Sequence, residues 1–155
     1  MEPEVKSEVK VETKATPREE VLKAQEDMKK AALSLMPLEA VEVVNTVKAA
    51  GVQPYVAQIH DTMYVYRVMT RLEWKQHLLD TSELSRKIKE TAPNDQTAAI
   101  DTTLRNEDGL VIKCVLYPKL DTFTIKNLPA GYVETLANTI LSTSGFNLEP
   151  IVIKL

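Results

Sequence analysis

Three kinds of side chain in this sequence could take part in bond chemistry: the imidazoles of His60 and His77, the carboxylate of Asp61 beside His60, and the thiol of the single cysteine, Cys114. An imidazole next to a carboxylate is half of an acid–base pair, and a thiol with an imidazole is the core of a cysteine nucleophile. The spacing argues against both uses. Neighbouring residues on extended backbone point to opposite faces, so His60 and Asp61 read as polar groups of a turn. Cys114 lies within Leu110-Val111-Ile112-Lys113-Cys114-Val115-Leu116-Tyr117, a run with one charge in eight positions. A thiol there is expected to be buried and inert, because a reactive thiolate needs partial exposure and positive surroundings. A small hydrolase or transferase would require His60, Asp61 and Cys114 to converge at an accessible place. Two histidines and one cysteine this widely spaced form no zinc pattern. The glycines at 51, 109, 131 and 145 form neither a phosphate loop nor a dinucleotide fingerprint. The expectation is therefore no enzyme: no catalytic, cofactor-binding or metal-binding residues, and no cofactor.

Side chains suited to gripping another protein are easier to find. Arg67 and Arg71 straddle the end of an expected strand and the start of an expected helix. Either could meet acidic groups of a neighbouring subunit, with ordinary surface ion pairs, worth ~0–1 kcal/mol, as the plainer alternative. Trp74 reads as a core anchor before an interface hot spot, since a short helix needs one large packing residue. Ile151, Ile153 and Leu155 belong to an apolar, β-branched terminus that is a poor free tail in water. They either pair inside the domain or add an edge strand to a neighbour.

The composition fits one ordinary domain with some tail in 155 residues. With 44% hydrophobic residues but only 5% aromatic, the core must be mainly aliphatic and methionine. A net charge of −3 gives no footprint for DNA or RNA, and no lysine block suggests an anionic membrane. Apolar runs fall short of the ~20 residues that cross a bilayer. The acidic Met-Glu-Pro-Glu start is unlike a signal peptide, and a lone cysteine allows no internal disulfide. Synthesis in a reducing cytoplasm follows.

The elements that must position these residues can be taken in order. Residues 1–15 repeat a Glu-Val-Lys theme with too few apolar side chains to offset ordering, and read as a flexible N-terminal arm. Thr16, Pro17 and Glu19 supply a cap, a first helical residue and a capping box. The helix they start runs to about Leu35, with Val21, Ala24, Met28, Ala32 and Leu35 along one face, a core stripe or a seam with another chain. After Pro37 a second helix over Leu38 to about Ala50 carries Leu38, Val41, Val44 (or Val43) and Val47, and Gly51 stops it. Residues 16–50 thus read as a helical hairpin. Tyr64 to Met69 is expected as a strand paired with Val56 to Ile59 in a short hairpin.

Thr70 can cap a helix over Arg71 to Leu79, with Trp74, Leu78 and Leu79 inward and Lys75 and Gln76 wet. Thr81-Ser82-Glu83 then restarts a helix to about Glu90, with Leu84 and Ile88 inside, and Ala98 to Leu104 suggests another. Gly109 leaves Leu110 to Tyr117 open between two states: a strand after an Asp-Gly turn, or a helix continuing at about 1 kcal/mol of cost. Lys119 to Asn127 reads as a loop with a short extended piece at Phe123 to Ile125. Ala130 to Thr143 is a helix with Val133, Leu136, Ala137, Ile140 and Leu141 on its buried face, closed by Gly145 and Phe146. The fold class is mainly α (α+β): a mainly helical core domain over 51–147 with a short β-hairpin, an N-terminal arm, and an extended C-terminal tail over 148–155.

Three segments together resemble a known group. Tyr66-Arg67-Val68-Met69-Thr70-Arg71-Leu72-Glu73-Trp74 is similar to a strand-then-helix signature. Cys114-Val115-Leu116-Tyr117-Pro118 is similar to the cysteine–proline segment that follows it. Leu128-Pro129-Ala130-Gly131 through Ile140-Leu141-Ser142-Thr143-Ser144-Gly145-Phe146 is similar to the closing segment. In that order they resemble small tail and baseplate assembly proteins of contractile-tailed bacteriophages, over about residues 60 to 147. The chain departs from the pattern at Met69 and at the Gly109 turn signal. The resemblance implies a helical reading of the segment ending at Cys114. It also implies a virion structural subunit, or a tail-assembly chaperone absent from the particle. Either would be made in the host cytoplasm and act through contacts with other tail or baseplate proteins in a hetero-oligomeric assembly.

Overall fold

A computed structural model describes residues 16–91, 93, 97–129 and 131–146. The expected arm over 1–15 and tail over 148–155 lie outside the described residues. The chain divides into two units after Leu35, each taken by itself below.

The first unit holds one described helix, α1 (Pro17–Leu35). Its start follows the capping logic of its sequence. The Thr16 N–H donates to Glu19 Oε2 at 2.8 Å, which holds the Glu19 carboxyl below its ordinary range. No residue of α1 is buried, so the apolar stripe expected along it is present but uncovered.

The second unit contains α2 (Leu38–Ala49), β1 (Pro54–Ile59), β2 (Thr62–Arg67), α3 (Arg71–Thr91), α4 (Ala98–Cys114), β3 (Val115–Tyr117), α5 (Thr122–Lys126) and α6 (Tyr132–Thr143). It takes in α2, which the sequence grouped with the preceding helix. The architecture is mainly helical around a small antiparallel sheet of order β1-β2-β3. The hairpin pairs Val56 with Val65 and Ile59 with Thr62; its second strand starts at Thr62, before the expected Tyr64, and ends at Arg67, so Val68 and Met69 lie beyond it. Period-two geometry sends Val65 to one face, against Met36, Ala40 and Val44. Tyr64 and Tyr66 go to the other face, into a larger cluster with Leu110, Val111, Cys114, Leu136, Ala137 and Ile140. Both faces of the central strand are therefore covered by helix, a layered way of closing one core.

The ambiguous run resolves into both of its alternatives in succession. Helix α4 passes through Gly109 and ends at Cys114, and the backbone then turns extended at Val115 (φ −75°, ψ 124°). Four other expectations are corrected. First, α3 is continuous across Thr81, with no restart; the Thr81 hydroxyl oxygen lies 2.8 Å from the His77 carbonyl oxygen, inside the helix. Second, Leu78 and Leu79 face outward, and the inward positions are Trp74 and buried His77. Third, 122–126 is a helical turn and not an extended piece, because Asp121 caps it by accepting from the Thr124 N–H at 2.7 Å. Fourth, α2 is rotated from its expected phase: Leu38 is exposed and Ala40 is buried beside Val44. The α6 stripe falls where its spacing placed it, with Leu136, Ala137 and Ile140 buried.

Candidate partner-contact surface

The reactive side chains do not form a reacting centre. Cys114 is fully buried in the larger core, and burial pushes its thiol up to about 11. It is therefore held protonated, with no access for a substrate. His60 sits in the hairpin turn with φ 51°, its ring stacked on Tyr132 at 5.6 Å, and both His60 and Asp61 are exposed. Among the described residues no three His, Cys, Asp or Glu side chains are grouped to hold a metal ion. His77, which the sequence left without a role, is the one buried polar side chain among the described residues. It packs against Trp74 at 5.5 Å, hydrogen-bonds Asn106, and is held below its ordinary value chiefly by burial.

The junction of β2 and α3 is built by a capping box. Thr70 N–H donates to Glu73 Oε2 at 2.9 Å, and Glu73 N–H donates to Thr70 Oγ1 at 3.2 Å. Arg67 closes the same carboxylate from the strand side at 2.7 Å. The Arg67 hydrogen bond, then the Thr70 backbone, holds the Glu73 carboxyl well down, at about 2. Arg67 is thus committed to its own chain, whereas Arg71, one turn along, is exposed. Trp74 is partly buried, and its ring meets Phe146 at 4.4 Å. Of the six partner-contact candidates, Arg67, Arg71 and Trp74 fall together at this junction. Ile151, Ile153 and Leu155 lie outside the described residues.

The packing of Trp74 and His77 against the domain sets the rotation of α3, and that rotation creates a surface the sequence reading did not find. Trp74, His77, Leu84 and Ile88 turn toward the domain, which leaves Leu72 and Leu79 on the opposite side, 76% and 55% exposed. Seven residues apart, they lie two turns and ~10 Å from each other on one face. A second exposed pair, Ile100 and Leu104, sits one turn apart on α4. It continues toward the N-terminus the stripe that buries Val111 and Cys114 further along. The signal was present in the spacing: with Trp74, Leu84 and Ile88 inward, a 3.6-residue period puts Leu72 and Leu79 out. A shallow groove between the end of α3 and the start of α4, lined by Ser85, Ile88, Lys89, Ala98, Ala99 and Thr102, holds no group of ionisable side chains that could do chemistry.

Compared with protein-family models, with curated proteins and with solved structures, the chain matches none. What it can do has to be read from its own surfaces. Among the described residues no helix is long and apolar enough to cross a membrane.

Proposed function

We propose that this chain is a structural or assembly protein of a contractile bacteriophage tail. It is made in the host cytoplasm, retained in the virion as a baseplate component, and works by contact with other tail proteins. The observation that carries the contact half of this reading is the pair Leu72 and Leu79. Two leucines on one helical face, both more than half exposed, are the kind of apolar surface that another protein covers. Arg71 at the edge of the same helix start supplies a polar rim.

The tail half rests on the sequence resemblance, and one feature of the packing supports it. The three resembling segments, far apart in the chain, meet at one place. Tyr66 pairs with Val115, the Tyr66 hydroxyl lies 2.8 Å from Thr143 Oγ1, the Met69 N–H donates to Ser144 Oγ at 3.2 Å, and Trp74 touches Phe146. The three segments thus pack against one another in the core of the second unit.

Mass spectrometry of purified particles of the virus that encodes the chain tests the reading. Its peptides at an abundance comparable to other baseplate proteins are expected. Peptides confined to unassembled tail intermediates would replace the virion subunit with a tail-assembly chaperone. Absence from both would overturn the tail reading.

A further inference from the structure

Among the described residues the sheet has two edges, and they differ. β3 offers three residues, whereas β1 offers six. Ile59 and Thr62 close a two-residue turn, so they exchange both of their backbone hydrogen bonds. Counting back by twos, Ala57 and Tyr55 also bond to β2, and Val56 and Gln58 turn their N–H and C=O groups away from it. Both residues are exposed, Val56 by 37%. An edge of this kind is a template for another strand. Helix α6 brings the chain to it. Its first residue, Tyr132, stacks on His60 in the hairpin turn. Near its end, Thr143 Oγ1 lies 2.8 Å from the hydroxyl of Tyr66, which pairs with Tyr55. Helix α6 therefore runs against β1 and returns the chain to the start of that strand. From Phe146, the five steps to Ile151 reach up to about 17 Å.

The sequence beyond α6 matches that edge residue by residue. Pro150-Ile151-Val152-Ile153-Lys154-Leu155 set beside Pro54-Tyr55-Val56-Ala57-Gln58-Ile59 places Ile151, Ile153 and Leu155 next to Tyr55, Ala57 and Ile59. Those three residues of β1 pack on the larger core, on the side where α6 meets the strand. On the opposite face Val152 falls beside Val56, and Lys154 beside exposed Gln58. A slip of one residue would carry Lys154 to the core face. At this register a parallel ladder takes its N–H donors from Val56, Gln58, Ile153 and Leu155, and the carbonyls of Ile151, Ile153, Val56 and Gln58 accept. Neither proline is asked for the N–H it lacks.

We infer that residues 151–155 add a fourth strand to the sheet of their own chain, parallel to β1 on its open edge. This goes beyond the tail reading and stands without it, since it concerns the purified chain alone. Amide hydrogen exchange followed by NMR tests it. In the full chain the Val56 and Gln58 N–H groups should exchange at least about ten times more slowly than exposed amides. Ile153→Pro should abolish that protection, while Ala57, bonded to β2, keeps its own. Register and chain are read by disulfide trapping in two double variants under mild oxidation, with the native Cys114 sealed in the core. Gln58→Cys with Lys154→Cys should close within a single 17.4 kDa chain, several-fold faster than the out-of-register Gln58→Cys with Ile153→Cys. Fast exchange at Val56 and Gln58 in the parent chain, protection that survives Ile153→Pro, or equal closure of the two double variants would each overturn the proposal. So would a disulfide formed only between chains, which would give the edge to a second copy. None of these outcomes bears on whether the chain is found in virions.

Discussion

His77 and Glu73 are both protonated less readily in the folded chain than in the unfolded one, and each makes the domain sensitive to acid in its own range. Burial, with Lys113 nearby, keeps the His77 imidazole neutral, while Asp80 and the Asn106 hydrogen bond oppose the shift without reversing it. Below its ordinary value of 6.5 the unfolded chain takes up a proton that the folded chain refuses. Stability is therefore full above about pH 6.5 and falls as the pH drops below it. His77→Gln should flatten that dependence, and urea midpoints at about pH 7.5, 6.5 and 5.5 measure it. Glu73 acts lower. Its contribution is present above the ordinary 4.5 and is lost as the pH falls toward about 2. Glu73→Gln removes the charge from both the Arg67 pair and the helix cap. Because the carboxylate side chain is 36% exposed, the pair is discounted for solvent screening, and the expected loss at neutral pH is about 1–2 kcal/mol. Thermal unfolding of the variant above and below about pH 4 checks it: the gap from the parent chain should narrow in acid.

At the scale of the element, α4 carries a correctable weakness. Gly109 has helical backbone in the middle of the helix, and a Cβ there would meet only His77 Cε1, at an ordinary 3.9 Å. Gly109→Ala should therefore stabilise the domain by about 0.5–1 kcal/mol, seen as a rise of about 2–5 °C in Tm. A fall would mean that the glycine is needed for close approach of α3 and α4. Gly109 also shows why the sequence was readable in some elements and not in others. The β1–β2 hairpin was legible through β-branched and aromatic residues bounded by polar ones, and α6 through its three-to-four period. At Gly109 a turn signal and a helical period conflict, and α4 runs through the glycine to Cys114. Thr81-Ser82-Glu83 resembles a helix start, yet Thr81 bonds back to the His77 carbonyl and reaches Asn106 Oδ1 at 2.6 Å, so α3 runs on. Hydrophobicity alone points Leu78 and Leu79 inward. The packing of Trp74 and buried His77 sets the phase of α3, and that phase turns both leucines toward solvent. The short α5 has an Asp121 cap but too few residues to show a period.

Taken whole, the molecule invests its ionisable groups in structure and leaves its apolar residues uncovered. The thiol is sealed in the core and Arg67 is tied to Glu73, while α1, Leu72, Leu79, Ile100 and Leu104 face outward. That distribution suits a subunit that works by being gripped. Part of this balance was legible in the spacing, since Trp74, Leu84 and Ile88 inward put Leu72 and Leu79 outward; the rest depends on packing partners distant in the chain. Rescue of a virus lacking this gene by plasmid-borne variants tests the account most directly, with plaque titre as the readout. Cys114→Ala should rescue fully despite a stability loss of about 1–2 kcal/mol. Leu72→Arg combined with Leu79→Arg, both on an exposed face, should fold but fail to rescue. Full rescue by the double arginine variant, with loss of rescue in a folded Cys114→Ala, would contradict the account.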